Sequence, residues 1–152
     1  MPKIQCLVIS IANPILIGIY EDYEIIQTIE LEGKTTEVLP LVFDEILKKY
    51  IVDEIFYVNG PGSYMAIKVA YVFLKSISII KNISLKACDG FEFNKNSPIK
   101  ALGKRYFVKN DDKIEIQSVD SLIILNKFEL PIKLDKKLFS DDSLPNYQLP
   151  AV

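Results

Sequence analysis

Apolar positions in the N-terminal part of the chain come in short, separated runs, and the spacing inside each run says what it is. Ile4 to Ala12, IQCLVISIA, is almost continuous, rich in branched side chains and stopped by Asn13-Pro14, which predicts a buried strand. Ile15 to Tyr20, ILIGIY, predicts a second strand, closed by a polar turn at Glu21–Tyr23. Glu24 to Glu32, EIIQTIELE, alternates with period two, the pattern of a half-solvated antiparallel strand. Gly33 ends that run, and the period then lengthens to that of a helix from about Thr36 to Tyr50. Thr35 or Thr36 is expected to cap this helix and Glu37 to favour its positive end, while Pro40 should fall in about its first turn. Glu54 to Gly60 predicts a buried strand, Ser63 to Ile80 a second helix and Ile83 to Cys88 a further strand. The order β-β-β-α-β-α-β predicts an α/β chain with a mixed sheet, three antiparallel strands followed by parallel ones reached through helices.

Beyond Asp89 the texture changes. DGFEFNKNSP reads as loop, and IKALGKRYFVKNDDKIEIQSVDSLIILN as short strands with a turn at Asn110-Asp111-Asp112. The stretch Phe128 to Val152 carries Pro131, Pro145 and Pro150 and is expected to run extended on the surface. The chain therefore divides at residue 89, into a lobe of residues 1–89 and a smaller β-rich part of residues 90–152.

The second helix is unusual in its surface. At about 100° per residue, Tyr64, Lys68, Tyr71, Lys75 and Ser78 share one narrow polar stripe. Nearly everything else is apolar, including Met65, Ala66, Val69, Val72 and Phe73, with Ser76 the one interruption. A surface helix needs only one apolar stripe to meet its core. The first helix has a surplus too, in Leu39, Val42, Phe43, Ile46, Leu47 and Tyr50. Either the two helices bury each other on one sheet face, or the surplus meets another polypeptide.

Between the strand at Glu54–Gly60 and this helix lies Gly60-Pro61-Gly62-Ser63. Two glycines permit backbone conformations closed to other residues, and Ser63 is a suitable cap. Backbone N–H groups at such a junction can cradle a phosphate. A tight strand-to-helix elbow with no ligand accounts for the same residues, because neither the Lys-Ser/Thr of a P-loop nor the third glycine of a dinucleotide fingerprint is present.

Composition narrows the chemistry. At 152 residues and 49% hydrophobic the chain can build a substantial core. A net charge of −2 gives no electrostatic drive toward nucleic acid or an anionic membrane. The run Leu7–Tyr20 is too short and too interrupted to span a bilayer, and the chain reads as cytoplasmic. It has no histidine, so an HExxH zinc site, a Ser-His-Asp triad and an imidazole base are excluded. Cys6 and Cys88 each sit in a strand-like run, as reduced core thiols do. Lys104-Arg105, Lys136-Lys137, Asp111-Asp112 and Asp141-Asp142 read as solvated surface and turn residues.

NGPGSYMAIKVAYVFLKSIS resembles the GPGS(F/Y)TGLRIG segment of the TsaB (YeaZ) family. In support, IQCLVISIA stands where that family has its opening strand, and KTTEVLPLVFDEIL resembles its LLP-bearing helix start. SPIKALGKRYFV falls at its Asp-Ala-Arg strand and LPNYQLPAV resembles its Pro-x-Tyr-Leu-Arg ending. Departures are Ser10 for the usual Asp, Met65-Ala66 for Thr-Gly, Lys68 for Arg, and Ala101-Leu102-Gly103-Lys104-Arg105 in the later strand. The resemblance implies an actin-like ATPase fold (the sugar kinase/Hsp70, or ASKHA, type), with a complete N-terminal lobe and a reduced C-terminal lobe.

By the same resemblance the function is that of a non-catalytic scaffold. Such a subunit pairs its N-terminal-lobe helices with TsaD and joins TsaE, an ATPase, in adding threonylcarbamoyl to N6 of adenosine 37 in tRNA. The residues that would meet the partner are Leu39, Val42, Phe43, Ile46, Met65, Ala66, Val69, Val72, Phe73 and Ser76. Gly60, Pro61, Gly62 and Ser63 would form the nucleotide- or phosphate-type loop, and no catalytic residue, metal or cofactor is expected. Contact with tRNA would be indirect. Two alternatives stand beside it: a small nucleotide-binding phosphotransferase or peptidase-like enzyme, and a self-associating module that forms homodimers through the same helices.

Overall fold

A computed structural model describes residues 2–101, 104–118 and 126–147. Strands β1 (Lys3–Ile9), β2 (Ile15–Glu21) and β3 (Glu24–Leu31) form an antiparallel meander, and α1 (Thr35–Lys49) leads to β4 (Ile51–Val58). The chain continues through α2 (Tyr64–Lys81) to β5 (Ser84–Cys88). The five strands lie in the order β3-β2-β1-β4-β5, with β4 parallel to β1 and β5 parallel to β4. The mixed sheet expected from the sequence is present. A second sheet holds β6 (Ile99–Lys100), β7 (Arg105–Asn110) and β8 (Lys113–Ser118). Asn110 pairs with Lys113 across a two-residue turn, and Asp111 takes a positive φ of 54°, as an Asx residue does at low cost. The expected strand material at residues 119–125, with Leu102-Gly103 and the last five residues, lies outside the described part.

Alternation along β1 divides the core in two. Ile4, Cys6 and Val8 point to the face covered by α1 and α2, beside Ile17, Ile55, Tyr57 and Leu85. Leu7 and Ile9 point to the other face with Leu16, Tyr20, Phe56 and Val58. What covers that second face is the C-terminal stretch. Leu134 is buried there, Phe139 stacks on Phe56 at 4.6 Å, and the Tyr20 hydroxyl donates to the Pro131 carbonyl at 2.7 Å.

The stretch also pins both edges of the sheet. Lys133 bridges to Glu24 on β3, with the Ile25 amide donating to Ile132 and the Leu134 amide to Tyr23. Ser140 exchanges both main-chain hydrogen bonds with Ala87 on β5. The expectation of a merely surface-bound tail is therefore corrected: the segment is a strap crossing the sheet. Its prolines punctuate it, but its apolar residues recur often enough to bury one side, and it blunts two otherwise open strand edges.

Three local expectations also change. The N-cap of α1 is Lys34, not Thr35 or Thr36, and makes no side-chain cap bond, because both threonines are already inside the helix. Pro40 consequently sits in the second turn, where the Thr36 carbonyl loses its i+4 donor. Ser63 does occupy the N-cap of α2, yet its side chain makes no cap bond.

Candidate functional site

Helix α2 turns four different surfaces to its surroundings. Ile67, Ala70 and Leu74 are buried against the sheet. Phe73 and Ile77 pack on the same core, and the Phe73 ring meets Phe43 of α1 edge-on at 5.8 Å. The polar stripe does not take the solvent side. Tyr71 packs toward Tyr57, with ring centroids 6.4 Å apart, and Tyr64 stacks on Tyr147 of the strap at 4.5 Å.

The outermost surface is instead apolar. Met65 is 61% exposed, Val72 53% and Ile80 77%, with Ile79 beside them. Met65, Val69, Val72, Ser76 and Ile79 follow one another at alternating steps of four and three residues, the spacing of a helix–helix seam. A groove of about 450 Å³ runs between this stripe and the start of α1, lined by Thr35, Thr36, Pro40, Met65, Val69, Val72 and Phe73 among others.

The predicted interface residues therefore separate. Met65, Val72 and Ser76 are exposed and Ala66 and Val69 half-buried along or beside the stripe, while Phe73 is half-buried against α1. Leu39, Val42, Phe43 and Ile46 are buried under α1 in this chain's own core. Side chains sealed there have no surface to offer another polypeptide, and that part of the expectation is corrected. The outward side of α1 is mainly charged, with Asp44 paired to Lys48 at 2.9 Å and Leu41 the large apolar exception. Ile79 and Ile80 were not singled out from the sequence, although they continue the four-three spacing.

The glycine elbow is also explained by packing. Gly60 has φ of 129°, and a Cβ there would lie 2.6 Å from the Asn146 carbonyl of the strap. Its own carbonyl accepts from the Gly90 amide at 2.9 Å, and a Cβ on Gly62 would meet Ile11 at 3.3 Å. Gly60, Pro61 and Gly62 are buried and Ser63 is exposed. The two glycines thus let two other segments approach the turn closely.

The elbow is tied to the strap by further bonds. Asn59 donates from its side chain to Leu144 at 2.9 Å, and its carbonyl accepts from the Asn146 amide at 2.8 Å. The Tyr57 hydroxyl donates to the Ser143 carbonyl. At the ends of β4 and β5 the Lys109 ammonium meets Asp89 at 2.7 Å, and this partner raises the lysine's pKa.

Burial pushes both thiols, Cys6 and Cys88, up to about 12, so each is a protonated core group and a poor nucleophile. Among the described residues no group of three or more Cys, Asp or Glu side chains is placed to hold a metal ion, and no helix is long and apolar enough to cross a membrane.

Neither a family model nor a curated protein matches the sequence. Solved structures do match the fold. YeaZ from Pseudomonas aeruginosa superposes with a TM-score of 0.57 at 11% identity, over 78% of this chain and 65% of that one. An uncharacterised protein described by its similarity to the peptidase YeaZ from Pseudomonas aeruginosa gives a TM-score of 0.52, also at 11% identity and with the same coverage. The match thus spans a little under two thirds of each of those proteins. At such identity the likeness is one of architecture, and the chain is built on the YeaZ fold.

Proposed function

We propose that this chain is a TsaB-like, non-catalytic subunit that docks a TsaD-like protein in the complex adding threonylcarbamoyl to adenosine of tRNA. The observation that carries the reading is the open apolar stripe of α2 on a chain with the YeaZ fold. Aliphatic surface of that extent, spaced as a helix–helix seam, costs free energy in water and is stabilised when another apolar surface covers it. In this reading residues 1–89 are the docking lobe of an actin-like ATPase fold and residues 90–152 its reduced companion. A TsaE-like ATPase joins the same cytoplasmic assembly, and tRNA is met only through the partner.

The peptidase similarity in one relative's description would make the chain an enzyme. With no histidine in the sequence and both thiols held protonated, its residues give that reading little chemistry to work with.

The test is a pull-down of a TsaD-like protein with this chain as bait. Met65→Asp and Val72→Asp, placed on exposed positions, should abolish capture while leaving the urea unfolding midpoint nearly unchanged. Capture that survives both substitutions removes α2 as the docking surface. Light scattering on dilution, with and without the partner, separates docking from self-association through the same stripe.

A further inference from the structure

One unoccupied feature lies apart from the stripe's apolar chemistry. At the carboxyl end of β1 the chain leaves one way to β2 and returns on the other side as β4, which makes this end of the sheet its topological switch point. Open α/β sheets bind ligands in the crevice at such a point. Here the crevice has a volume of about 600 Å³ and is lined by Ser10–Asn13, by Lys34–Thr36 at the start of α1, and by Ser63, Met65 and Ala66 at the start of α2.

Two helices of 15 and 18 residues thus open on one cavity. Neither has a side-chain cap, so the first amides of both lack a side-chain acceptor. The hydroxyl of Ser63 makes no cap bond, and Thr35 and Thr36 add two more hydroxyl-bearing side chains to the wall.

The second, independent observation is Ser10. It continues the even-numbered, helix-facing side of β1 and is only 4% exposed. Among the described residues nothing hydrogen-bonds its hydroxyl. The one fully sealed side-chain polar atom without a partner is Asn94 Oδ1, so the Ser10 hydroxyl keeps its small access, and it keeps it at the crevice wall. A buried hydroxyl left without a protein partner costs about 1–3 kcal/mol unless something in the cavity satisfies it.

We propose that this crevice binds the phosphoryl group of a small phosphorylated ligand. The Ser10 hydroxyl donates from the floor, the first amides of α1 and α2 donate from two sides, and Lys34 supplies the cation at the rim. Glu32 also lines the rim, so attraction rests on the converging donors and helix dipoles more than on net charge. Thr35, Thr36, Met65 and Val69 line both this crevice and the apolar groove beside it, so the remainder of the ligand would lie on Met65 and Val69. The inference does not rest on the partner reading, since it concerns the isolated chain.

The experiment is a titration of the isolated chain with inorganic phosphate, pyrophosphate and AMP, followed by amide chemical shifts. Binding should move the amides of Thr35, Thr36, Tyr64, Met65 and Ala66. Ser10→Ala should weaken it about tenfold, roughly the loss of one charge-assisted hydrogen bond. Lys34→Glu, on an exposed residue at a helix start where a carboxylate does not harm the fold, should weaken it at least as much. Lys127→Glu, elsewhere on the surface, should leave it unchanged. Tighter binding of AMP than of phosphate assigns a phosphate ester; equal binding assigns free phosphate. Absence of saturable shifts, shifts centred on other residues, or affinity untouched by Ser10→Ala would overturn the proposal.

Discussion

The two helices on the sheet are of similar length and both rich in apolar residues, yet they use them differently. Helix α1 turns Leu39, Val42, Phe43 and Ile46 into the core and presents a largely charged outer side. Helix α2 buries only Ile67, Ala70 and Leu74 and leaves Met65, Val72, Ile79 and Ile80 in the open. Its polar stripe is spent laterally, against Tyr57 and the strap. The difference teaches that apolar content does not measure burial. The element with the more apolar sequence is the one whose core duty is smaller, because it covers the sheet with one narrow side only.

The sharpest way to break this comparison is to cut each helix at its own kind of position. Phe43→Ala should destabilise by ~3–5 kcal/mol in urea denaturation, since it removes a fully buried ring that also supports Phe73. Val72→Asp should change stability by no more than about 0.5 kcal/mol, the usual range for an exposed site. Equal losses at the two sites would mean that the outer stripe of α2 is covered in the native state.

Next in size is Gly60→Ala. The positive φ and the 2.6 Å approach to the Asn146 carbonyl should cost about 1–3 kcal/mol and loosen the strap. Faster hydrogen exchange at the Ala87 and Asn146 amides would show that loosening. A neutral Gly60→Ala would separate the elbow from the strap.

The buried thiols give a pH test of the helix-covered face. The folded pKa of Cys6, about 12, lies above the ordinary thiol value of 9.0, so its contribution to stability is complete below about pH 9 and falls as pH rises toward 12. The urea midpoint should fall over that window, and should fall less steeply in Cys6→Ala. The smallest effect is expected at Asp89→Asn. This removes a partly exposed pair with Lys109 and should cost about 1 kcal/mol or less, with the Lys109 pKa returning toward its ordinary value.

Much of the fold could be read from the chain. The three opening strands, both helices and the two parallel strands fall within a few residues of their periodic runs, because alternation and helical spacing are local consequences of which side chains avoid water. The Asp111–Asp112 turn was legible for the same reason. Helix caps were not. Ser63 and the two threonines have capping chemistry, but a cap bond depends on the geometry of the incoming chain, and here no bond is made. Half of the candidate interface was misplaced for a related reason, since a helical wheel gives the angle between residues but not which angle points at the sheet.

The sequence by itself determined what each segment would be and that two helices would carry more apolar surface than one core side requires. Only the tertiary structure decided where the surplus went. The sheet lies under α1 and one edge of α2, the strap takes the opposite sheet face, and the outer stripe of α2 is left over. The physical reason is that hydrophobic burial is non-directional. It rewards covering apolar surface without specifying by what, so the choice among neighbours is made by chain connectivity and by the approach distances that residues such as Gly60 permit.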